Sequence, residues 1–349
     1  MDREKPYFLV SNHQQLNDPL LIGMNLKYYP YPVASNTLYT NPVLKFALTK
    51  ILRSIPKRKG QADTQTIRQI RNAFYNDHRG IQICPEGNAS YFGEQTPTDY
   101  TSTAKLIKKL KFDLVIGHFD GGYFAHPRWA DHYRKKAPIY LQYKRLIKGD
   151  DLDLYKVEEL ALILEREIAF NDYQWNEKAH VEYKQNNKAE GSENFLYACP
   201  KCHAIQTIFS KGNDIYCEHC GIIASIDHHH HYQSDYITNM IDWNIKQKKL
   251  IKTHVHETFE SEGRFYELLL DQQKRVLLDK KSKIKLDGNI LTVDMKKSSY
   301  SVDLKDVSGV ALTQQNKISF DYGDKTYLMK MKHSMLFLDL INMKKGEQS

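Results

Sequence analysis

Near its start the sequence reads Tyr7-Phe8-Leu9-Val10-Ser11-Asn12-His13-Gln14-Gln15-Leu16-Asn17-Asp18. The apolar residues Tyr7 to Val10 predict a short strand, and the polar residues after them predict a turn. A carboxylate bonded to one imidazole nitrogen fixes the tautomer and orientation of the ring, so that the other nitrogen can accept a proton. His13 and Asp18 could form such a pair. Taken alone, a surface histidine beside a helix-capping aspartate is the more usual explanation.

A second apolar segment ends in a polar turn about seventy residues later, and it reads Ile83-Cys84-Pro85-Glu86-Gly87-Asn88. Gly87 allows a backbone conformation that residues with a Cβ avoid. The N–H groups of such a turn can hold an anion or an oxyanion. An ordinary strand-to-loop turn with an exposed Glu86 is the alternative. Because both motifs follow probable strands, together they predict an active site.

Together the two motifs resemble the glycerolipid acyltransferase family, whose bacterial type is lysophosphatidate acyltransferase. The family signature is an N-H-x4-D block followed by an F-P-E-G-T-R-S block. Here these blocks read Asn12-His13…Asp18 and Cys84-Pro85-Glu86-Gly87-Asn88-Ala89-Ser90. Ile55-Pro56-Lys57-Arg58 is similar to the basic second motif, and Leu114-Val115-Ile116-Gly117 lies near the position of the fourth. The resemblance covers roughly residues 7 to 170.

This resemblance implies an O-acyltransferase. It would move a fatty acyl group from an acyl thioester, on acyl carrier protein or coenzyme A, to the free hydroxyl of a lysophosphatidate-like glycerolipid. His13 would act as general base, and Asp18 would orient it. The residues expected to position the acceptor and hold its phosphate are Lys57, Arg58, Glu86, Gly87 and Asn88.

Two features depart from the family pattern. Ala89 stands where the family usually has an arginine that helps to hold the phosphate, so this task is expected to fall on a residue of the basic cluster Lys57-Arg58-Lys59. The family also carries one or two helices ahead of its histidine, whereas twelve residues precede His13 here. The mode of membrane attachment is therefore open, and a late start codon or a truncated fragment is an alternative. A catalytically weakened relative that acts as a lipid- or protein-binding scaffold is the competing function.

Strands alternate with helices over the first half of the chain, which predicts an α/β domain at residues 1–175 with a mixed sheet flanked by helices. The predicted helices cover residues 42–53, 66–76, 101–111 and 155–170, and the predicted strands include residues 7–10 and 113–116. The first of these helices has Asn41 as N-cap and Pro42 in its first turn. Its apolar stripe comprises Val43, Leu44, Ala47, Leu48, Ile51 and Leu52. A stripe of this kind is usually a core face, and contact with a bilayer surface is the alternative.

Two C-x2-C pairs follow a polar segment at residues 176–195, which is predicted to be an exposed linker through Gln185-Asn186-Asn187-Lys188. The four thiols belong to Cys199, Cys202, Cys217 and Cys220, with fourteen residues between the pairs. Thiolates at this spacing predict a tetrahedral zinc site in a zinc ribbon at residues 196–226. Four protein ligands leave no open coordination position, so the zinc would be structural. Paired cysteines of this type fit a reducing cytoplasm.

The last part of the chain is predicted to be β-rich, after a connecting segment at residues 227–262. Five short strands, at residues 265–270, 275–278, 290–295, 299–304 and 318–322, precede a closing helix at about residues 335–343. Turn residues such as Asp287-Gly288 separate some of them. This order resembles a pleckstrin-homology-type barrel at residues 263–349. The resemblance is architectural and implies no particular ligand.

Composition limits the remaining classes of function. The 349 residues carry a formal charge of +8, which suits phosphate-bearing partners. No run reaches the roughly 18 apolar residues of a transmembrane helix, so the expected location is cytoplasmic and peripheral, on the inner face of the cell membrane. The expected partners are a membrane surface with its lysophospholipid and the acyl donor. Nucleic-acid binding is a weaker alternative, because it leaves the first domain unexplained and no basic-aromatic groove is evident.

Overall fold

The computed structural model describes residues 5–24, 26–57, 64–130, 134 and 136–346. One unit comprises Met1–Pro127 and Pro138–Ala179, and a second comprises Arg128–Ala137 and His180–Ser349. The finer boundaries expected from the sequence, at residues 175, 195, 226 and 262, stay predictions.

The first unit alternates strands and helices. Its strands are β1 Tyr7–Ser11, β2 Tyr31–Ser35, β3 Ile55–Lys57, β4 Ile81–Ile83, β5 Asp113–Asp120 and β6 Tyr140–Ile147. Its α-helices are α1 Asp18–Met24, α2 Pro42–Phe46, α3 Thr64–Tyr75, α4 Thr101–Leu110, α5 Gly122–Ala125, α6 Val157–Glu167 and α7 Asp172–Ala179. A π-helical turn at Ala47–Ile51 continues α2, and 3-10 turns cover Asn36–Thr40 and Gly149–Leu154.

These strands form one sheet in the order β3-β2-β4-β1-β5-β6. Strands β1 to β5 are parallel, with Phe8 opposite both Ile81 and Leu114, and β6 is antiparallel to β5. The predicted mixed sheet is therefore confirmed. Because the carboxyl ends of β1, β4 and β5 share one edge, the segments that follow them meet there, where open α/β sheets commonly bind ligands.

Alternate residues of β1 face opposite sides of this sheet, and both sides are covered. Phe8 and Val10 belong to the larger core, which includes side chains of α3, α4 and α6. Leu9 belongs to a smaller core with Ile22 of α1 and Phe119 of β5. This burial on both faces explains why β1 is apolar throughout. It also gives the residues after β1 a rigid support.

The helix predicted at residues 42–53 forms, but its expected core face is wrong. The Asn41 side chain accepts hydrogen bonds from the N–H groups of Val43 and Leu44 at 3.1 and 3.5 Å, as expected of an N-cap. No residue of α2 or of the π turn is buried, and Val43 and Ile51 are exposed. Periodicity located the apolar stripe, but it did not show which side of the helix the rest of the fold would cover.

The second unit is mainly antiparallel. Its strands are β7 Ile208–Lys211, β8 Asp214–Cys217, β9 Gly221–Ile226, β10 Tyr232–Gln233, β11 Phe259–Leu269, β12 Lys274–Asp287, β13 Ile290–Asp294, β14 Ser299–Asp303, β15 Val307–Thr313, β16 Lys317–Tyr322 and β17 Lys325–Met331. Its α-helices are α8 Met240–Thr253 and α9 Ser334–Gly346. Strands β7 to β10 make a four-stranded sheet that carries two of the cysteines at its turns.

Strands β11 to β17 form one antiparallel sheet in the order β14-β13-β12-β11-β17-β16-β15, which curls into a half-barrel. The run from Met335 to Ile341 in α9 is buried, as expected of a closing helix. The sequence prediction missed β15 and β17. It also described the domain as barrel-like, whereas the terminal strands β14 and β15 are not paired in the described sheet.

The exposed-linker prediction is wrong for Lys188, which is fully buried. Its backbone N–H and its ammonium group both donate to Asn213 Oδ1, at 3.1 and 3.4 Å, and its ammonium also donates to the Gln185 carbonyl. Because these acceptors satisfy the charged group, a polar sequence here packs inside the second unit.

Candidate active site

The His13 and Asp18 side chains meet directly. His13 Nδ1 lies 2.9 Å from Asp18 Oδ2, across the turn between β1 and α1. Asp18 is fully buried, whereas 14 per cent of the His13 side chain is exposed, so the ring is not sealed from a substrate. The arrangement can hold one tautomer of the imidazole and leave the second ring nitrogen to take a proton.

The same Asp18 oxygen also accepts two backbone hydrogen bonds. The N–H groups of Gln14 and Gln15 donate to Oδ2 at 2.7 and 3.0 Å. Burial raises the pKa of Asp18, while these bonds and the contact with His13 act in the opposite direction. Among the described residues, Asp18 Oδ1 has no hydrogen-bond partner. The Asp18 carboxylate is therefore held in place by the backbone of the same turn that carries His13.

Glu86 supports the His13 turn from the second motif. Its Oε1 accepts the His13 backbone N–H at 3.0 Å, and its Oε2 accepts the Thr96 N–H at 3.0 Å. Burial raises the pKa of Glu86 to about 8, although both backbone bonds favour the ionised form. Since each oxygen is already bonded to the backbone, the geometry gives Glu86 a role in positioning His13. The sequence had predicted contact with the acceptor, which stays a prediction.

The rest of the second motif clamps the same turn. Ser90 N–H donates to the His13 carbonyl at 2.8 Å, so both backbone groups of His13 are held. Gly87 has φ of +67°, which confirms the turn expected of a glycine. Its N–H donates to the Cys84 carbonyl at 3.0 Å and is thus committed within the turn. Ala89 is buried, and Asn88 is partly buried.

A second buried network lies beyond the reach of the sequence prediction. Gln14 Nε2 donates to Asp172 Oδ1 at 2.7 Å, and Gln14 Oε1 accepts the Gly122 N–H at 2.6 Å. Asp172 also accepts the N–H groups of Gly121 and Tyr123, at 3.2 and 3.0 Å. Burial raises the pKa of Asp172 to about 7. The network joins the His13 turn to the segment after β5, and the adjacent glycines were its one visible sequence signal.

Asn12 forms a further link between the same two segments. Its Nδ2 donates to the Phe119 carbonyl and its Oδ1 accepts the Phe119 N–H, both at 2.8 Å. A side-chain amide paired in this way with a strand backbone extends the sheet by one rung. The asparagine that precedes the histidine in the motif is therefore a positioning residue.

Cys84 is the one thiol near the pair. Burial raises its pKa to about 12, and its Sγ lies 3.3 Å from Ser11 Oγ. A thiol that stays protonated is a poor nucleophile. The environment thus favours packing over covalent catalysis for Cys84.

The basic cluster lies farther from His13 than the turn residues do. Lys57 ends β3 at the same carboxyl edge and is exposed, but β3 is three strand positions from β1, which is about 14 Å at the usual spacing. Arg58 lies outside the described residues. The structure therefore does not bring Lys57 directly to the His13 turn.

The four remaining cysteines lie together in the second unit. The Sγ atoms of Cys199, Cys202, Cys217 and Cys220 are all within 4.8 Å of one another. Cys202 Sγ and Cys217 Sγ are 3.7 Å apart, close to the roughly 3.8 Å that a tetrahedral site with zinc–sulfur bonds of about 2.3 Å requires. The donor set and its dimensions fit a four-thiolate metal site, and such a site could bind zinc.

No known family model and no curated protein sequence matches the chain. Among solved structures, the chain is similar to the 1-acyl-sn-glycerophosphate acyltransferase PlsC of Thermotoga maritima, with 19% identity over 50% of this chain and 67% of that one, at a TM-score of 0.39. It is also similar to the N-terminal PH domain of human ARAP2, with 15% identity over 27% and 84% and a TM-score of 0.22. A third similarity is to ISP3 of Toxoplasma gondii, with 15% identity over 25% and 77% and a TM-score of 0.20. Similarities of this size carry no inference about activity.

Among the described residues, no helix is both long enough and apolar enough to cross a bilayer.

Proposed function

We propose that this chain is an O-acyltransferase that uses His13 as general base on the free hydroxyl of a lysophosphatidate-like glycerolipid. The supporting observation is the 2.9 Å contact of His13 Nδ1 with a buried Asp18, in a turn whose backbone is held by Glu86 and Ser90. A base fixed in this way at the carboxyl edge of a sheet is positioned before the substrate arrives.

In the proposed reaction, His13 takes the proton of the acceptor hydroxyl while the hydroxyl oxygen attacks the carbonyl carbon of the acyl thioester. A carbon–oxygen bond forms and the carbon–sulfur bond breaks. The thiol of acyl carrier protein or coenzyme A leaves, and it receives the proton from His13. Asp18 stabilises the imidazolium between these steps. No covalent acyl-enzyme is needed, which agrees with the high pKa of Cys84.

The acceptor would lie along the carboxyl edge, from the His13 turn towards β3. In this pose its phosphate approaches Lys57, and Arg58 belongs to the same basic run. Gly87 and Asn88 border the path on the β4 side. The enzyme would work at the cytoplasmic face of the cell membrane, where its acceptor is embedded.

The metal that we propose for the four cysteines is a structural zinc. Each thiolate would be one ligand, and the ion would cross-link the segments around Cys199–Cys202 and Cys217–Cys220. A closed four-sulfur site has no open position for a substrate, so the zinc would stabilise the second unit without entering the reaction.

The test is acyl transfer from labelled acyl-acyl carrier protein and labelled acyl-coenzyme A to lysophosphatidate in mixed micelles. Formation of labelled phosphatidate from at least one donor is the expected result. If folded, zinc-loaded protein forms no product from either donor while a known acyltransferase does so in the same micelles, the proposal fails for this acceptor.

A scaffold role is the second candidate, and two observations favour it. Ala89 is buried where the family places a phosphate-binding arginine, and both Glu86 oxygens are bonded to the backbone. A scaffold needs no proton transfer, so wild-type protein would then bind lipid or protein partners without turnover in any acyl-transfer assay.

A further inference from the structure

The segment Pro42–Ile51 presents apolar side chains to solvent. Val43, Phe46 and Ile51 are 77, 62 and 56 per cent exposed. Together with the exposed Lys50, they follow the spacing i, i+3, i+7 and i+8, which places them along one side of a helix. The polar side is normally the one that a helix of a globular domain turns outwards. Here Leu44, Ala47 and Leu48 are partly buried, so the helix has apolar residues on both its inner and its outer side.

Hydrogen bonds define both ends of this segment. The Asn41 side chain caps its first turn, and Ser54 N–H donates to the Leu48 carbonyl at 2.8 Å behind its last turn. Tyr29 hydroxyl donates to the Ile51 carbonyl at 3.0 Å. The apolar side chains are thus displayed by a capped helix whose last turn is bonded to the first unit through Tyr29.

The sequence around the segment carries only positive charges, and the Asp77 carboxylate, beyond α3, acts on Arg53 from outside it. From residue 19 to residue 62 the sequence has no aspartate or glutamate, and it has seven lysines and arginines. Lys45, Lys50 and Arg53 are the cations within or next to the helix, and none of them forms a salt bridge within the described part of the chain. An exposed apolar stripe with neighbouring cations is the pattern of a helix that lies in the interface of an anionic bilayer.

The segment begins near the edge of the sheet that carries the candidate active site and runs back towards the opposite edge, where Ile51 meets Tyr29. It follows β2, whose carboxyl end is at the same edge as the His13 turn and two strand positions away, about 10 Å. Only the first turn of the helix is therefore on the same side of the sheet as the His13 turn.

We propose that Val43, Phe46 and Ile51 insert into the surface of an anionic phospholipid bilayer, with Lys45 and Lys50 at the headgroups. The expectation that this delivers His13 to its acceptor rests on the proposed function, but the contact with lipid does not. An acidic carrier protein is the alternative occupant. The bilayer is favoured because the exposed side of the helix has three apolar side chains and a single lysine.

The test is co-sedimentation of the full-length, zinc-loaded protein with phosphatidylglycerol–phosphatidylcholine vesicles and with pure phosphatidylcholine vesicles. Wild type should bind the anionic vesicles more tightly. Phe46→Asp should weaken this binding about tenfold or more, and Lys50→Ala about fivefold. Val43→Asp provides a second variant if Phe46→Asp is poorly expressed.

The matched control is Leu162→Asp, because Leu162 is 66 per cent exposed on α6, beside Glu158, Glu159 and Glu165. It should bind vesicles as wild type does. His13→Ala should also bind vesicles normally while it loses acyl transfer. Wild-type protein that binds vesicles but transfers no acyl group would refute the proposed function and leave this inference standing.

Three results would overturn the inference. The first is equal vesicle binding by wild type and both apolar-to-aspartate variants. The second is an equal loss in Leu162→Asp, which would indicate a general effect of surface charge. The third is unchanged vesicle binding by Phe46→Asp together with lost binding of acyl carrier protein, which would assign the helix to the carrier instead.

Discussion

Replacing Asp18 with asparagine separates the charge of the carboxylate from its ability to orient His13. Oδ2 accepts three hydrogen bonds, from His13 Nδ1 and from the N–H groups of Gln14 and Gln15, whereas Oδ1 has no partner among the described residues. Two backbone donors therefore force the oxygen of the new amide into the position of Oδ2. The amide should still accept from His13 and keep its tautomer.

The loss of kcat/KM in Asp18→Asn should then measure mainly the contribution of the carboxylate charge. At roughly 4 Å and an effective dielectric constant of about 20, an imidazolium and a carboxylate attract each other by about 4 kcal/mol. Because an amide dipole retains part of this attraction, we expect the transition state to lose about 2 to 3 kcal/mol, or about 30- to 150-fold in kcat/KM. Asp18→Ala should lose more of kcat/KM, because the orientation of the His13 ring is lost as well.

The assay is the initial rate of acyl transfer to lysophosphatidate, measured with urea unfolding of the same variants. Asp18→Ala leaves the N–H groups of Gln14 and Gln15 without an acceptor, at about 1 to 3 kcal/mol for each buried donor. It should therefore unfold at lower urea than Asp18→Asn. An Asp18→Asn protein as active as wild type would refute a role for the charge. One no more active than His13→Ala would refute the inferred orientation of the amide.

Three other perturbations test separate parts of the account. Chelation, or Cys202→Ser, should remove one zinc per chain and lower the melting temperature of the protein, and unchanged melting after complete zinc loss would contradict a structural metal. Gly122→Ala should lower the free energy of unfolding by about 1 to 3 kcal/mol and should also lower activity, because its Cβ would lie 2.5 Å from Gln14 Oε1. The control Gly23→Ala makes only ordinary contacts and should be nearly neutral. Equal effects of the two substitutions would contradict the role of the Gln14 network. The raised pKa of Glu86, about 8, means that its protonated form contributes stability that is complete below about pH 4.5 and lost as the pH rises towards 8. The advantage of wild type over Glu86→Gln in urea unfolding should thus shrink steadily as the pH rises across this window, and a pH-independent difference would contradict the shift.

Local chemistry explains what the sequence could predict. The apolar run at Tyr7–Val10, the positive φ at Gly87 and the cap at Asn41 depend on residues close in the chain, and each was expected. The spacing of the two C-x2-C pairs also predicted that the four thiols lie together, because this spacing is typical of a metal site. The proximity of His13 and Asp18 belongs to the same class, because five residues and one turn separate them.

The features that the sequence could not predict depend on distant partners. Gln14 and Asp172 are 158 positions apart, and no local pattern marks either as half of a pair. Lys188 has a polar surrounding sequence, and its burial depends on the acceptor supplied by Asn213 from a later turn. The exposure of the apolar side chains around Val43 is a third feature that the sequence could not predict. Its periodicity was correct, but the neighbours that decide burial come from the rest of the fold.

The role of His13 as general base of acyl transfer is tested by comparing the wild-type protein with one variant. Wild type and His13→Ala are assayed with labelled acyl-acyl carrier protein and acyl-coenzyme A, with equal folding shown by circular dichroism. We predict that His13→Ala loses about 10²- to 10⁴-fold in turnover, the usual contribution of a general base. Turnover within a fewfold of wild type in the folded His13→Ala protein would contradict the mechanism.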